Sequence, residues 1–352
     1  MQRVTASARM WLACAVALLL AGVSGAALLT TPGHQPTGMQ VLVSPHPDDD
    51  LLAWAALEDD PATYTVLLTL TRGEHTRQCD RPAQRTQEDA GERAPEPVPT
   101  GRDTDSCAAA RINSWQTFLG QAAEQTPEIA LGASERHTFT DPRVGGRADV
   151  RAGTNSARIA LSLPDGQLTE DAVVAGVEAV LEQRGDVLPD LPVRRLLSAS
   201  YWNDSAERGS RTSESGDCVE RSDCPGEQTA FEYENLDHRE TTLAMPSLAR
   251  HAQLGAWVTV PPGENRDLLT ALGTPDGSTW RQLSLDPEVY DYFMELGPVT
   301  DGEPRRLGLQ QRVYGWLAFP GQWWEAGDQP RADNDVLFPR EQTFLVLPGG
   351  EG

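Results

Sequence analysis

Ser44-Pro45-His46-Pro47-Asp48-Asp49-Asp50 gathers one imidazole and three carboxylates into a short stretch. An apolar run, Met39 to Val43, stops at it, and the apolar residues Leu51 to Leu57 follow. The pattern reads as a buried strand, a tight turn and a helix start, with His and Asp side chains at the strand's carboxyl end. Open α/β sheets build their sites there. His46 and Asp49 are close enough in sequence to reach one divalent metal, and the neighbouring Asp48 can serve as a base. That is the chemistry of a metal-dependent hydrolase. Two plainer readings compete with it. Asp48, Asp49 and Asp50 are also acids at a helix start, which the helix dipole favours. A calcium site is the other, but calcium prefers oxygen ligands alone, and His46 stands among the acids.

The elements that must position these residues follow along the chain. Thr63 to Thr71 is β-branched and apolar and predicts a second buried strand, ending in Arg72-Gly73-Glu74-His75 at the same sheet edge. Residues 80–105, rich in Pro, Glu, Arg and Gln, read as an insertion. Helical spacing resumes from Arg111 to Leu119, with Ile112, Trp115, Phe118 and Leu119 on one stripe and Gly120 as its stop. Residues 132–157 read as polar and irregular, and Leu163-Pro164-Asp165-Gly166 as a turn. Thr169 then caps a helix whose Val173, Val174, Val177, Val180 and Leu181 face the core. A strand is expected over Val193 to Tyr201, a polar loop over 203–230, a helix from Asn235 towards His251, and strands at Ala256 to Val260 and Thr343 to Leu347. This alternation predicts an α/β, Rossmann-like fold: a mostly parallel sheet with helices on both faces, polar insertions and an irregular C-terminal segment. One domain is expected over 39–352, with its core at about 39–255 and an extension at about 256–352.

The chain has 352 residues, 39% of them hydrophobic, enough for a sizeable core. Against 52 acidic residues stand 29 basic ones, all arginine, for a formal charge of −23. That charge argues against nucleic acid and anionic membrane surfaces as partners, and suits a neutral or cationic small-molecule or glycan substrate. Nothing in the sequence sets an oligomeric state. Arg3 and Arg9 precede an apolar run from Met10 to about Leu20 and then small residues, the layout of a signal peptide within residues 1–29, cut near Ala26. The alternative is an uncleaved anchor, because Met10 to Leu29 is long enough to span a bilayer. Either way the body is expected to be secreted or held at the outer face of the cytoplasmic membrane, with 30–38 as linker. In such an oxidising compartment Cys79, Cys107, Cys218 and Cys224 suggest disulfides Cys79–Cys107 and Cys218–Cys224, since each pair brackets a polar insertion. A four-cysteine zinc site lacks the close pairs it would need.

Taken in order, Ser44-Pro45-His46-Pro47-Asp48-Asp49, Leu70-Thr71-Arg72-Gly73-Glu74 and Asp237-His238-Arg239 resemble the PIG-L/LmbE-like family of zinc-dependent N-acetylglucosaminyl deacetylases. That family's signature is an Ala/Ser-His-Pro-Asp-Asp-Glu run and a later His-Pro-Asp-His, and the resemblance covers roughly 39–255. It implies that His46, Asp49 and His238 hold Zn2+, another divalent metal being open, and that Asp48 is the general base. Three N/O ligands leave zinc the open position that water activation and carbonyl polarisation need. By the same resemblance Asp237 orients a ligand histidine, if it is not an ordinary helix cap. Arg111 and Tyr233 match substrate- and oxyanion-binding positions, beside plainer readings as a salt-bridging surface arginine and a packed or exposed aromatic. Trp202 and Asn203, at a strand end, are candidates to line the pocket.

Several positions depart from the family. Its Glu is Asp50 here, and its first His-Pro is Asn235-Leu236. Asparagine donates a hydrogen bond but shuttles no proton, so Asp48 makes both transfers or another residue substitutes. His75 is the candidate, beside its reading as an ordinary surface-loop residue. Tyr314, Trp316, Phe319, Trp323 and Trp324 suit either sugar stacking or packing of a tail on the core. The resemblance implies a secreted zinc hydrolase that removes an N-acetyl or other acyl group from an amino sugar or related amine. The alternatives are an amidase on a non-sugar secondary metabolite and a metal-retaining carbohydrate-binding protein with little turnover.

Overall fold

Apolar, β-branched runs form the middle of the sheet. In the computed structural model the described residues are 36–57, 62–82, 84–85, 95–200, 235–252, 254–260, 277–294 and 340–349. All belong to a compact unit that begins at Pro36. Strands β1 (Gly38–Ser44) and β2 (Thr63–Thr69) are buried along their whole length. A strand buried on both sides needs cover on both faces, which is the condition of a parallel sheet. Around them lie β3 (Ser134–Phe139), β4 (Ala148–Gly153), β5 (Ser156–Ala160), β6 (Val193–Ser198), β7 (Gly255–Val260), β8 (Thr279–Ser284) and β9 (Glu341–Leu347). The sheet order is β3-β4-β5-β2-β1-β6-β7-β9-β8. It is parallel from β5 through β2, β1 and β6 to β7, and antiparallel at both margins. The fold is therefore α/β, with a mixed, centrally parallel sheet.

Alternate residues of the central strands point to opposite faces. Val41, Val43, Val66 and Leu68 pack with Val173 and Val177 of α2 (Glu170–Leu181) and Met245 and Leu248 of α3 (Leu236–Ala252). On the other face Leu42, Leu67 and Leu197 meet Trp115 and Phe118 of α1 (Asp105–Ala122) and Phe293 of α4 (Pro287–Met294). Trp54 fills the space between them, with ring centroids 5.8 Å from Phe118 and 5.0 Å from Phe293. As its spacing predicts, α2 starts at a Thr169 cap that accepts from the Ala172 N–H at 3.2 Å. No helix among the described residues is long and apolar enough to cross a membrane.

The structure corrects the sequence reading in two places. Residues 132–157 are not irregular: β3 and β4 pair antiparallel, and β4 pairs with β5. Helix α1 starts at Asp105, capped by Thr104, and runs through Gly120 to Ala122. A single glycine costs a helix only about 1 kcal/mol, and the buried Trp115, Phe118, Leu119 and Ala122 hold this one. The helix expected after Asp48 forms as a 3-10 helix, Asp49–Ala56, interrupted at Ala53 (φ −130°). Gln342 of β9 explains the interruption. Its Nε2 donates to Leu51 O at 2.5 Å and its Oε1 accepts from Ala55 N at 2.9 Å, taking the place of the α-helical bond between those two groups.

The Cys79–Cys107 disulfide is formed, with Cα atoms 5.8 Å apart. Trp280 lies half-exposed on the marginal strand β8. The leader, Trp202, Asn203, Cys218, Cys224, Tyr233, Tyr314, Trp316, Phe319, Trp323 and Trp324 lie outside the described residues.

Candidate metal centre

Parallel pairing brings the carboxyl ends of β5, β2, β1 and β6 to one edge of the sheet. The strand order reverses at β1: the chain moves outward through β2 to β5 on one side and later enters β6 on the other. Such a switch point opens a crevice for a site. His46 follows β1, the loop 72–75 follows β2, Asp165 follows β5, and α3 follows β6. The first two connections are locked together. Ser44 O accepts from Leu70 N at 2.9 Å, while Pro45 O accepts from Thr71 N at 3.1 Å and Thr71 Oγ1 at 2.9 Å.

His46, Asp49 and His238 converge there, with one ligand atom from each lying within 4.8 Å of the others. Asp49 Oδ2 is 3.0 Å from His46 Nδ1 and 3.2 Å from His238 Nε2. Tetrahedral zinc with bonds of about 2.0–2.2 Å separates its ligand atoms by about 3.3 Å, so these spacings and this N/O donor set fit such an ion. The His46 N–H also donates to Asp49 Oδ2 at 2.9 Å and fixes the turn.

The far side of His46 faces more acid. Its Nε2 is 3.2 Å from Asp165 Oδ1 and 3.3 Å from Asp237 Oδ2. Asp237, fully buried, accepts from Gly166 N at 2.7 Å and Leu168 N at 3.0 Å. Asn235 Oδ1 accepts from Asp237 N at 2.9 Å, so the asparagine caps α3. Burial alone would lower the His46 imidazole, but its bonds to Asp165, Asp237 and Asp49 outweigh that and raise it well above its ordinary value. Burial opposes ionisation of Asp49, yet the charge and hydrogen bond of His238 and the contact with His46 drive it far below the usual carboxylate range. Asp165 moves down in the same way, on its bond to His46.

Asp48 sits beside the ligand group and pairs with Arg111 Nη2 at 2.8 Å, both residues being buried. Burial raises the Asp48 carboxyl despite the arginine. Gly73 makes this pair possible: its φ is +69°, and a Cβ there would stand 2.5 Å from Arg111 Nε and 2.8 Å from Pro47 Cδ. Asp50 is walled in, accepting from Ser44 Oγ at 2.8 Å and Trp115 Nε1 at 2.5 Å, and burial pushes it up to about 7.

The structure thus gathers His46, Asp48, Asp49, Asp237, His238 and Arg111. The ring of His75 stays at the surface, bonded to Asp103 Oδ1 at 2.7 Å, and only its backbone N–H reaches the cluster, donating to Asp165 Oδ2 at 2.5 Å. Asp165 escaped the sequence reading, which saw a turn. The missing signal was β5: once that strand is recognised as parallel to β2, an acid just past its end falls at the same edge as His46.

The described residues thus form a centrally parallel α/β sheet with a His/Asp group at its switch point that could hold a metal ion. No family model and no curated protein matches the sequence. Among solved structures it is similar to a deacetylase triple mutant of the teicoplanin biosynthetic pathway (12% identity) and to a deacetylase–bog complex of that pathway (11%). Each match covers 89% of this chain and 100% of the other, with a TM-score of 0.40. At that likeness the chemistry has to be read from this chain's own residues.

Proposed function

We propose that the protein is a metal-dependent amide hydrolase, a zinc N-deacetylase that frees an amine from an acetylated amino sugar or a related compound. The observation that carries this reading is the convergence of His46 Nδ1, Asp49 Oδ2 and His238 Nε2 at the sheet's switch point, with Asp48 alongside. These three residues would hold the ion, which supplies Lewis-acid polarisation of the amide carbonyl and a more acidic water. Asp48 is the general base that takes the water's proton. Arg111 fixes the Asp48 carboxylate by its 2.8 Å contact and adds positive charge where the reaction builds negative charge. Acetyl as the acyl group, and export of the chain, rest on the sequence resemblance and the leader pattern. His75 is the proposed donor of the amine proton in place of the family's histidine.

One observation favours a second reading. Asn235 is engaged as a helix cap and carries no titratable proton, which suits a metal-retaining carbohydrate-binding protein with little turnover. Acetate release from small N-acetylated amino sugars and from cell-wall glycan decides between them. The enzyme reading expects release that His46→Ala and Asp48→Ala both abolish. Hydrolysis intact in both variants would end it.

A further inference from the structure

His46 presents two different ring nitrogens to two different groups. Nδ1 faces Asp49 and the space shared with His238; Nε2 faces Asp165 and Asp237. An imidazole binds an ion only through a bare nitrogen, and the bond made by its other nitrogen decides which one is bare. Ionised carboxylates only accept hydrogen bonds. Two carboxylate groups face Nε2 and one, Asp49, faces Nδ1, so the neutral ring keeps its hydrogen on Nε2 and offers Nδ1 to the ion it would share with Asp49.

The two acids are held differently. Both oxygens of Asp237 already take backbone N–H bonds from the turn after β5, from Gly166 and Leu168. Asp165 belongs to that same turn and reaches His46 with its side chain. It is fixed by the His75 N–H at 2.5 Å and lies 3.5 Å from Thr71 Oγ1, so it links the loops after β1, β2 and β5. Its side chain is 7% exposed, which excludes most competing water.

We propose that Asp165 is a positioning residue for the metal centre: it accepts the His46 Nε2–H bond together with Asp237 and thereby presents Nδ1 to the ion shared with Asp49 and His238. The inference rests on the metal reading above and adds to it a residue that the sequence motifs do not contain.

The test is Zn2+ affinity and stoichiometry of the full chain by competition with a chromophoric chelator, for the native protein, Asp165→Ala and Asp165→Asn. Thermal unfolding of the zinc-free forms and visible spectra of the Co2+-loaded forms accompany it. The expected native result is one ion per chain. Asp165→Ala should weaken Zn2+ binding about ten- to hundredfold and shift the Co2+ bands. Asp165→Asn, which keeps an acceptor oxygen, should recover part of the affinity, and both variants should still unfold cooperatively without metal. Affinity within twofold of native in Asp165→Ala overturns the proposal and leaves the metal reading standing. So does a loss in both variants that tracks loss of cooperative folding, which would make Asp165 a support of the turn alone. Two ions in the native chain falling to one in Asp165→Ala would make it a ligand. A native chain that binds no Zn2+ removes the metal reading itself.

Discussion

Gly73→Ala probes how tightly the base and its arginine are packed. At φ +69° an alanine enters the left-handed region, which costs an L-residue about 1–2 kcal/mol. Its Cβ would also stand 2.5 Å from Arg111 Nε and 2.8 Å from Pro47 Cδ. Arg111 is 5% exposed and held by Asp48, so it has little room to retreat. Displacing it forfeits much of a charged hydrogen bond of about 1.5–3 kcal/mol. The sum is about 2.5–5 kcal/mol. Gly146 supplies the control, since its φ is +91° and a Cβ there meets nothing within 4 Å; Gly146→Ala should cost only the conformational part, about 1–2 kcal/mol. Urea unfolding with an unchanged slope reads both values, and kcat/KM for acetate release should fall at least tenfold in Gly73→Ala alone. Equal midpoints for the two variants, with activity intact in both, would show that Gly73 does not hold the Asp48–Arg111 pair in place.

Other perturbations test separate parts of the account. Burial pushes the Tyr64 hydroxyl up to about 12 from 10.0. The unfolded chain therefore loses this proton first, and stability should fall as pH rises from 10 to about 12; Tyr64→Phe should flatten that fall in pH-dependent urea midpoints. The Cys79–Cys107 bond closes a separation of 28 residues, so the double alanine variant should lose about 3–4 kcal/mol by the chain-entropy relation, read by urea unfolding under oxidising conditions. His75→Ala should reduce acetate release sharply while His251→Ala stays near native, and full activity in His75→Ala would remove it from the proton path.

What could be read from the chain, and what could not, follows from how local each signal is. His46, Asp48 and Asp49 sit in one run between a buried strand and a helix start, so their grouping needs no long-range information. Thr169 announces α2 because a cap and a valine stripe are both local. The β3–β5 region hid itself. Edge strand β3 reads Ser-Glu-Arg-His-Thr-Phe with no residue fully buried. In β5 the buried Arg158, 3% exposed, passes Nη1 to Gln116 O at 2.9 Å and interrupts an apolar pattern. Losing β5 also lost Asp165, whose place at the site depends on a strand pairing. The interruption at Ala53 was illegible for the same reason: its cause, Gln342, lies at the far end of the chain.

The most direct measurement is an anomalous difference map at the zinc edge from crystals of the zinc-loaded chain. One peak is expected at bonding distance, about 2.0–2.2 Å, from His46 Nδ1, Asp49 Oδ2 and His238 Nε2, with Asp165 outside that distance. No peak between those three side chains, or a peak bound to other residues, would mean that they do not form the metal centre.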